Sequence, residues 1–448
     1  MNLHSLLLER QREGRPVRVA MIGAGKFGSM FLAQLRITPG LHLIGLADLD
    51  ASRARQALES TGWDPAAYGA RSLTEAETSG TTFITEDSDD LLTGGPVEVV
   101  VDATGNPAAG IRHALSAAEN GKHIVMVNVE ADVLAGPLLA ERCRQAGVVY
   151  SMAYGDQPAL ICEQVDWARA CGLNVVAAGK GTKYLPVYHA STPDTVWPYY
   201  GLTAERAAQG GMNPQMFNSF LDGTKSSIEM AAVANATGLA TPSNGLAFPP
   251  CSVDELPVVL RPASEGGTLE KKGQVEVISS LQRNGDPVIG DLRWGVYVVF
   301  EAPSDYTARC FSEYGLVTDP SGRYGALYRP YHLIGLELGV SVASVAIRGE
   351  PTGTTRQWSG DVAAVAKSDL KAGQKLDGEG GFCVWGKLLP ASESIKCGAL
   401  PIGLAHGVTL QRDIKAGEIV CWSDLEAVGE NHAVSIRREM EERFAPSA

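Results

Sequence analysis

The chain reads as α/β. A doubly wound sheet opens it, an α+β domain for catalysis and oligomerisation follows, and a small β-rich domain with a C-terminal helix closes it. Three observations predict this. A β-branched run, Val17 to Ile22, feeds directly into Gly23-Ala24-Gly25-Lys26-Phe27-Gly28 and then a helical pattern. Strand-like and helix-like segments alternate from there to about Ser151. After Gly353-Thr354-Thr355 the pattern changes to short β segments and glycine turns. The predicted domains are 1–153, 154–352 and 353–448.

A chain of 448 residues is too long for one core, so two or three domains are expected. Hydrophobic content of 45% and charged content of 20% are those of an ordinary globular protein. A formal net charge of -13 argues against nucleic acid as a partner, for which a clustered basic face is needed. It leaves room for a small anionic substrate. The 8 cysteines are scattered and contain no C-x-x-C, which argues against a zinc site or a disulfide framework. Leu6-Leu7-Leu8 runs at once into Glu9-Arg10-Gln11-Arg12-Glu13, unlike a signal peptide. No apolar run is long enough to span a membrane. A cytoplasmic protein with no membrane partner is the expectation.

The first motif is a glycine turn between a strand and a helix. Gly23 allows the turn, Gly25 lets a pyrophosphate approach the backbone, and Gly28 lets helix and strand pack closely. Lys26 and Phe27 lie at the start of the helix, whose N–H groups favour phosphate. A second strand, Leu41 to Ala47, ends in Asp48, placed for a ribose hydroxyl. Arg53 and Arg55 follow on the next helix, either of them suited to a 2′-phosphate, so these residues leave NAD and NADP both open. Further strands end in Asp102-Ala103-Thr104-Gly105 and Asn128-Val129-Glu130. Ligands bind beyond such strand ends, so Ala103, Thr104, Gly105, Asn128 and Glu130 are placed beside the nicotinamide. Residues 63–82 break the rhythm and read as an insertion or lid-like loop.

In the middle region Gly155-Asp156-Gln157 follows the last strand of this series. Gly179-Lys180-Gly181-Thr182-Lys183 reads as a basic turn past a strand end, with Thr182 and Lys183 suited to an anion. The stretch FLDGTKSSIEM places Asp222, Lys225 and Glu229 at i, i+3 and i+7, one face of a helix. On a surface helix this would be a salt-bridge ladder of ~0.3–0.5 kcal/mol per pair. The apolar flanks predict a buried helix instead, and buried charges are paired and tend to have a task. Lys183, Asp222, Lys225 and Glu229 are therefore the catalytic candidates. Arg329, Tyr331 and His332 cluster a cation, an aromatic ring and an imidazole, and join Gly155, Asp156, Gln157 and Thr182 as candidate substrate contacts. The small-residue run from His332 to Val345 reads as a helix suited to a homodimer interface. In the last domain Asp413-Ile414-Lys415-Ala416-Gly417 repeats the idea of Asp369-Leu370-Lys371-Ala372-Gly373. A charged helix from Glu430 to Phe444 ends the pattern.

These motifs carry a resemblance. The opening unit is a Rossmann unit resembling that of homoserine dehydrogenases, in the Gly23–Gly28 and Asp102–Gly105 turns and the Gly155…Pro158 turn. Asp222 and Lys225 resemble that family's catalytic acid and lysine, at shorter spacing, and Glu130 stands where that family has a lysine. The C-terminal domain resembles the SAF domain. Over its length, from MNLHSLLLERQ onward, the chain resembles the second type of 1-deoxy-D-xylulose 5-phosphate reductoisomerase-like enzymes. That resemblance implies NADPH as cofactor and a phosphorylated sugar as substrate, converted to 2-C-methyl-D-erythritol 4-phosphate in non-mevalonate isoprenoid biosynthesis. It also implies inhibition by fosmidomycin and, through the reaction alone, a divalent cation, Mg²⁺ or Mn²⁺. The alternative is an NAD(P)-dependent dehydrogenase of a sugar acid or homoserine-like substrate. From another class, the rival is a non-catalytic dinucleotide sensor.

Overall fold

Valine, leucine and isoleucine fill the first sheet from both sides. Its strands are β1 (Val17–Ile22), β2 (Leu41–Ala47), β3 (Phe83–Thr85), β4 (Val99–Asp102), β5 (His123–Met126) and β6 (Tyr150–Met152). All pair in parallel in the order β3-β2-β1-β4-β5-β6. Helices cover both faces, so β1 and β4 are continuous apolar runs rather than alternating ones. The order reverses between β1 and β4, and their last residues, Ile22 and Asp102, are partners in register. This places the first glycine turn beside the turn after β4, where ligands of such sheets bind.

The computed structural model describes residues 2–429 and 431–445. It divides into two compact units. The first runs to Glu163 and takes back His332–Arg356; the second holds Gln164–Tyr331 and the chain from Gln357. The expected middle domain, 154–352, is therefore apportioned differently. Leu338, Val342, Ala343 and Val345 are buried in the core of the first unit with Phe31, Leu35 and Leu43. Only Gly339–Ala343 is α-helical, followed by a π turn at Ser344–Arg348. The small residues read as an interface thus serve close packing inside the unit.

Residues 63–82 are corrected too. They hold a 3-10 turn (Pro65–Tyr68) and a helix (Leu73–Ser79) that bury Tyr68, Leu73 and Ala76 and lead into β3. Asp64 caps the first and Ser72 the second, each through a side-chain oxygen on a backbone N–H.

The second unit contains a mixed sheet of β7 (Asn174–Thr182), β8 (Gln274–Ser279), β9 (Val296–Glu301) and β10 (Tyr324–Arg329), in the order β10-β9-β7-β8. The sequence Gly179-Lys180-Gly181-Thr182 lies within β7 and is not the turn expected from its glycines. Those glycines serve close approach: a Cβ at Gly179 would meet Glu276 O at 1.8 Å, and one at Gly181 would meet Leu292 O at 1.9 Å. The helix Thr224–Thr237 packs against this sheet and against the C-terminal module.

That module is built on β11 (Gly360–Ala366) paired with β13 (Val384–Pro390), and β12 (Lys375–Asp377) paired with β14 (His406–Thr409). Its two Asp-Leu/Ile-Lys-Ala-Gly copies bond to each other reciprocally. Lys371 Nζ reaches Asp413 Oδ2 at 2.8 Å, and Lys415 Nζ reaches Asp369 Oδ2 at 2.9 Å. Ala372 N and Ala416 N each donate to the other copy's aspartate at 3.0 Å. Leu370 and Ile414 exchange backbone hydrogen bonds in an antiparallel bridge. The final helix is His432–Phe444; the expected start at Glu430 lies outside the described residues. Arg437 ties this helix down. It is 1% exposed and grips both carboxylate oxygens of Asp361 while lying over the Trp358 ring.

Candidate functional site

The dinucleotide face lies in the first unit. Gly23 has φ +101°, and a Cβ there would stand 2.7 Å from Ala103 O. A Cβ at Gly28 would stand 2.5 Å from Gly23 O. Gly25 is different: nothing lies within 4 Å of its missing Cβ. The two outer glycines are dictated by packing, and the middle one faces open space at the N-terminus of the helix Lys26–Leu35. That open cradle, with exposed Lys26 and half-buried Phe27 beside it, fits a pyrophosphate.

Asp48 is buried and fully engaged. Its Oδ2 accepts from Ala24 N at 2.8 Å, tying β2 to the glycine turn. Its Oδ1 accepts from Asp50 N at 3.1 Å and pairs with Arg53 Nη2 at 2.7 Å. Arg53 remains 57% exposed, so its other guanidinium N–H groups are open to solvent and to an anion.

Asp102 performs the same service for the turn after β4. Oδ1 accepts from Thr104 N and Thr104 Oγ1, at 2.9 and 2.8 Å. Oδ2 meets His113 Nδ1 at 2.7 Å, with both side chains buried. Thr104 and Asn106 are held in turn by Asn128 Nδ2. Ala103, Thr104, Gly105 and Asn128 therefore form a braced rim, with half-buried Glu130 opening the next helix. His113 was not foreseen. In the sequence it is one polar position on an amphipathic helix, and only the fold brings it to Asp102. Gly155, at φ +95°, packs on Leu333 and Glu337 of its own unit, while Asp156 and Gln157 are 4% and 3% exposed.

The second unit holds the other candidates, and its geometry corrects the one-helix reading of FLDGTKSSIEM. One helix ends at Leu221, Asp222 is its C-cap, Gly223 takes φ +90°, and a new helix starts at Thr224. Lys225 and Glu229 share that second helix; Asp222 does not. The Asp222 carboxylate is 0% exposed. Lys367 Nζ stands 2.7 Å from its Oδ2, and Thr224 N donates to Oδ1 at 2.9 Å. Lys367 also donates to Ser191 O and Gly381 O. Burial pushes the Asp222 carboxyl above the ordinary carboxylate range, with the Lys367 ammonium pulling against it. Asp222 thus clamps the C-terminal module to the turn that launches the Lys225 helix.

Glu229 pairs with Lys180 from β7, and both are nearly buried. Lys180 is the β7 lysine that meets Glu229; the sequence places it with Lys183 in one basic turn and singles out Lys183. Lys183 donates to Tyr199 O, and burial first, then Arg293, pulls its ammonium below the ordinary lysine range. Lys225 is half-buried at the start of its helix, and Thr182 closes β7. Arg329 ends β10 with its guanidinium 5.6 Å from the Tyr331 ring. His332 begins the segment returning to the first unit, so the expected triplet is divided between the two units.

Glu276 is a second residue that the sequence did not single out. It is 2% exposed, pushed up to about 7 by burial, and accepts from the amides of Ala247, Phe248 and Val277. It fixes Phe248, a non-glycine residue at φ +50°, on which Tyr184 stacks at 3.9 Å. The divalent cation fares otherwise: among the described residues no group of three or more His, Cys, Asp or Glu side chains fits a metal ion. No helix among them is long and apolar enough to cross a membrane.

Comparison with known proteins agrees with this geometry. Residues 17–153 match the family described as "Oxidoreductase family, NAD-binding Rossmann fold". Residues 155–338 match "Oxidoreductase DRL, catalytic domain", and residues 361–426 match "SAF domain". The chain is an oxidoreductase with a nicotinamide-dinucleotide-binding fold and a SAF domain. No curated protein matches it. Among solved structures it is similar to a probable dehydrogenase from Thermotoga maritima, at 14% identity, over 75% of this chain and 90% of that one, TM-score 0.38. It is also similar to the aldose-aldose oxidoreductase from Caulobacter crescentus, at 14% identity, over 76% and 92%, TM-score 0.38. Likenesses of that size carry no argument about chemistry. The reductoisomerase resemblance is corrected by the family matches, one to an NAD-binding Rossmann oxidoreductase family and one to an oxidoreductase catalytic domain. The homoserine dehydrogenase resemblance of the first unit gives way to the same broader family. The isoprenoid route and fosmidomycin fall with the reductoisomerase resemblance.

Proposed function

We propose that the chain is an NAD(P)-dependent dehydrogenase that interconverts a hydroxyl and a carbonyl on a small anionic substrate, a sugar acid, a phosphorylated sugar or a homoserine-like compound. The observation that carries this is the open cradle at Gly25 between two glycines fixed by packing. Gly23, Gly25, Lys26, Phe27 and Gly28 would hold the pyrophosphate, and Ala103, Thr104, Gly105, Asn128 and Glu130 the nicotinamide side. The dinucleotide, when bound, supplies or accepts the hydride. The chain's own residues orient the substrate and move a proton. Lys225 polarises the substrate oxygen and serves it as acid or base. Lys183 adds positive charge for the anionic group. Glu229 and Lys180 hold each other and with them the packing between the Lys225 helix and β7.

NADPH is the preferred dinucleotide in this reading, because Asp48 is already neutralised by Arg53 and the guanidinium stays accessible. Calorimetric titration tests both points. NADPH should bind the wild type, and Arg53→Ala should weaken it by about 10- to 100-fold, as expected for a charge-assisted hydrogen bond. NADH affinity should change little. Failure of both dinucleotides to bind would remove the dehydrogenase reading; equal losses for both would remove only the 2′-phosphate role of Arg53.

A homodimer is also proposed, on the exposed apolar side chains of β10 and its approach: Val317 is 53% exposed, Leu327 38% and Tyr328 42%. Light scattering at micromolar concentration should give twice the chain mass of 47.4 kDa. A single-chain mass would remove it.

A further inference from the structure

The proposed chemistry leaves the buried acid Asp132 unused. Asp132 lies in the first turns of the helix Val129–Gln145 and is 2% exposed. Its Oδ1 accepts from Tyr150 OH at 2.9 Å. Its Oδ2 has no hydrogen-bond partner among the described residues, although a buried carboxylate oxygen left unpaired is costly. Thr355 Oγ1 is a second buried oxygen without one. Both side chains crowd over Gly136, where a Cβ would stand 2.6 Å from Asp132 Oδ1 and 3.1 Å from Thr355 Cγ2.

Asp132 also walls a cavity of about 10 Å³, with Met126, Val129, Met152 and Asp156. That is room for one water. The cavity lies at the carboxyl ends of β5 and β6, the edge of the sheet that also carries the glycine turn after β1. An acid that lines a water-sized hole with one oxygen unpaired, and with a second carboxylate on the same wall, is not accounted for by packing.

We propose that Asp132, Tyr150 and one internal water in this cavity form a proton-holding site. The carboxyl keeps its proton on Oδ2 and donates it to the water, while Oδ1 accepts from Tyr150. This satisfies the otherwise orphaned oxygen, and it places an exchangeable proton beside Asp156. Burial pushes the Asp132 carboxyl up to about 7, and Tyr150, which stabilises the charged form, pulls weakly the other way. The other titratable groups turned to this pair are acids as well: Cys143 on the same helix, itself pushed to about 12 by burial, and Asp102 at the end of β4. The use of such a store is plain if the chain is a dehydrogenase. Carbonyl reduction consumes one proton with each hydride, and alcohol oxidation releases one. That use rests on the proposed function; the proton site does not.

Infrared difference spectra of the full chain without dinucleotide provide the test. Wild type minus Asp132→Asn should show a protonated-carboxyl band near pH 6 that fades with a midpoint near 7. Tyr150→Phe keeps the carboxyl, removes the donor to its charged form, and should move the midpoint upward. It carries the test alone if Asp132→Asn does not fold. Urea midpoints supply a second readout. The folded chain holds one more proton than the unfolded chain between about pH 4 and about pH 7, so wild-type stability should fall as pH rises through that window. In Asp132→Asn that fall should shrink. The absence of any such carboxyl titration between about pH 5 and about pH 9 overturns the proposal, and so does an empty cavity at atomic resolution. Because no dinucleotide is present, that failure is separate from failure of the dehydrogenase reading.

Discussion

Lys367→Met should destabilise the chain by about 3–5 kcal/mol, because the buried Asp222 carboxyl then loses its counter-charge in a site closed to water. Asp222→Leu should cost a similar amount for the opposite reason, stranding the ammonium. The double variant Asp222→Leu with Lys367→Met should lose much less than the sum, since two apolar side chains of similar volume replace a pair whose desolvation was itself expensive. Urea unfolding of the four chains closes the cycle. Single variants within about 1 kcal/mol of wild type would show that the pair does not fasten the C-terminal module to the launching turn of the Lys225 helix. The cycle also separates two roles for Asp222. If it only positions, the double variant keeps turnover roughly in proportion to its stability. If it moves protons on substrate, turnover collapses in a chain that is still folded.

Lys225→Ala should lower kcat on the order of 10²- to 10⁴-fold, the usual cost of losing a positioned acid–base group. NADPH affinity should stay within about threefold of wild type, because the cradle around Gly25 belongs to other residues. Steady-state kinetics with the substrate found by screening sugar acids, sugar phosphates and homoserine-like compounds measure the first number, and calorimetry the second. A kcat within tenfold of wild type would take Lys225 out of the chemistry. Glu229→Gln is the companion variant. It breaks the ion pair with Lys180 of β7 while keeping Lys225, and its losses should appear mainly in stability.

How much of this could be read in the sequence depended on how local the cause was. The glycine turn was legible because strand, turn and helix are contiguous, and each glycine has its own reason. Asp48 was placed correctly at the end of β2, but its engagement by Ala24 N and Arg53 needed the fold. In FLDGTKSSIEM the charge spacing masked the punctuation. Leu-Asp-Gly-Thr holds a helix-ending glycine followed by a new helix start, and Gly223 answers to it. Residues 63–82 likewise contain two start signals, Asp64-Pro65 and Ser72…Glu75, that outrank their loop-like composition. Lys367 and His113 were out of reach, since nothing nearby in sequence marks the carboxylates they meet. The glycines around Lys180 looked like a turn because glycine is a turn residue by default; here backbone crowding from Glu276 and Leu292 selects it inside a strand.

The reciprocal turns of the C-terminal module have a consequence of their own. Each copy presents an aspartate that receives and a lysine that gives, so the contact surface is complementary to itself. A surface of that kind does not distinguish a partner in the same chain from the identical partner in a neighbour. At high concentration, or after partial melting of the segment between Gln374 and Leu410, two chains can trade copies and close the same set of bonds across a swapped pair.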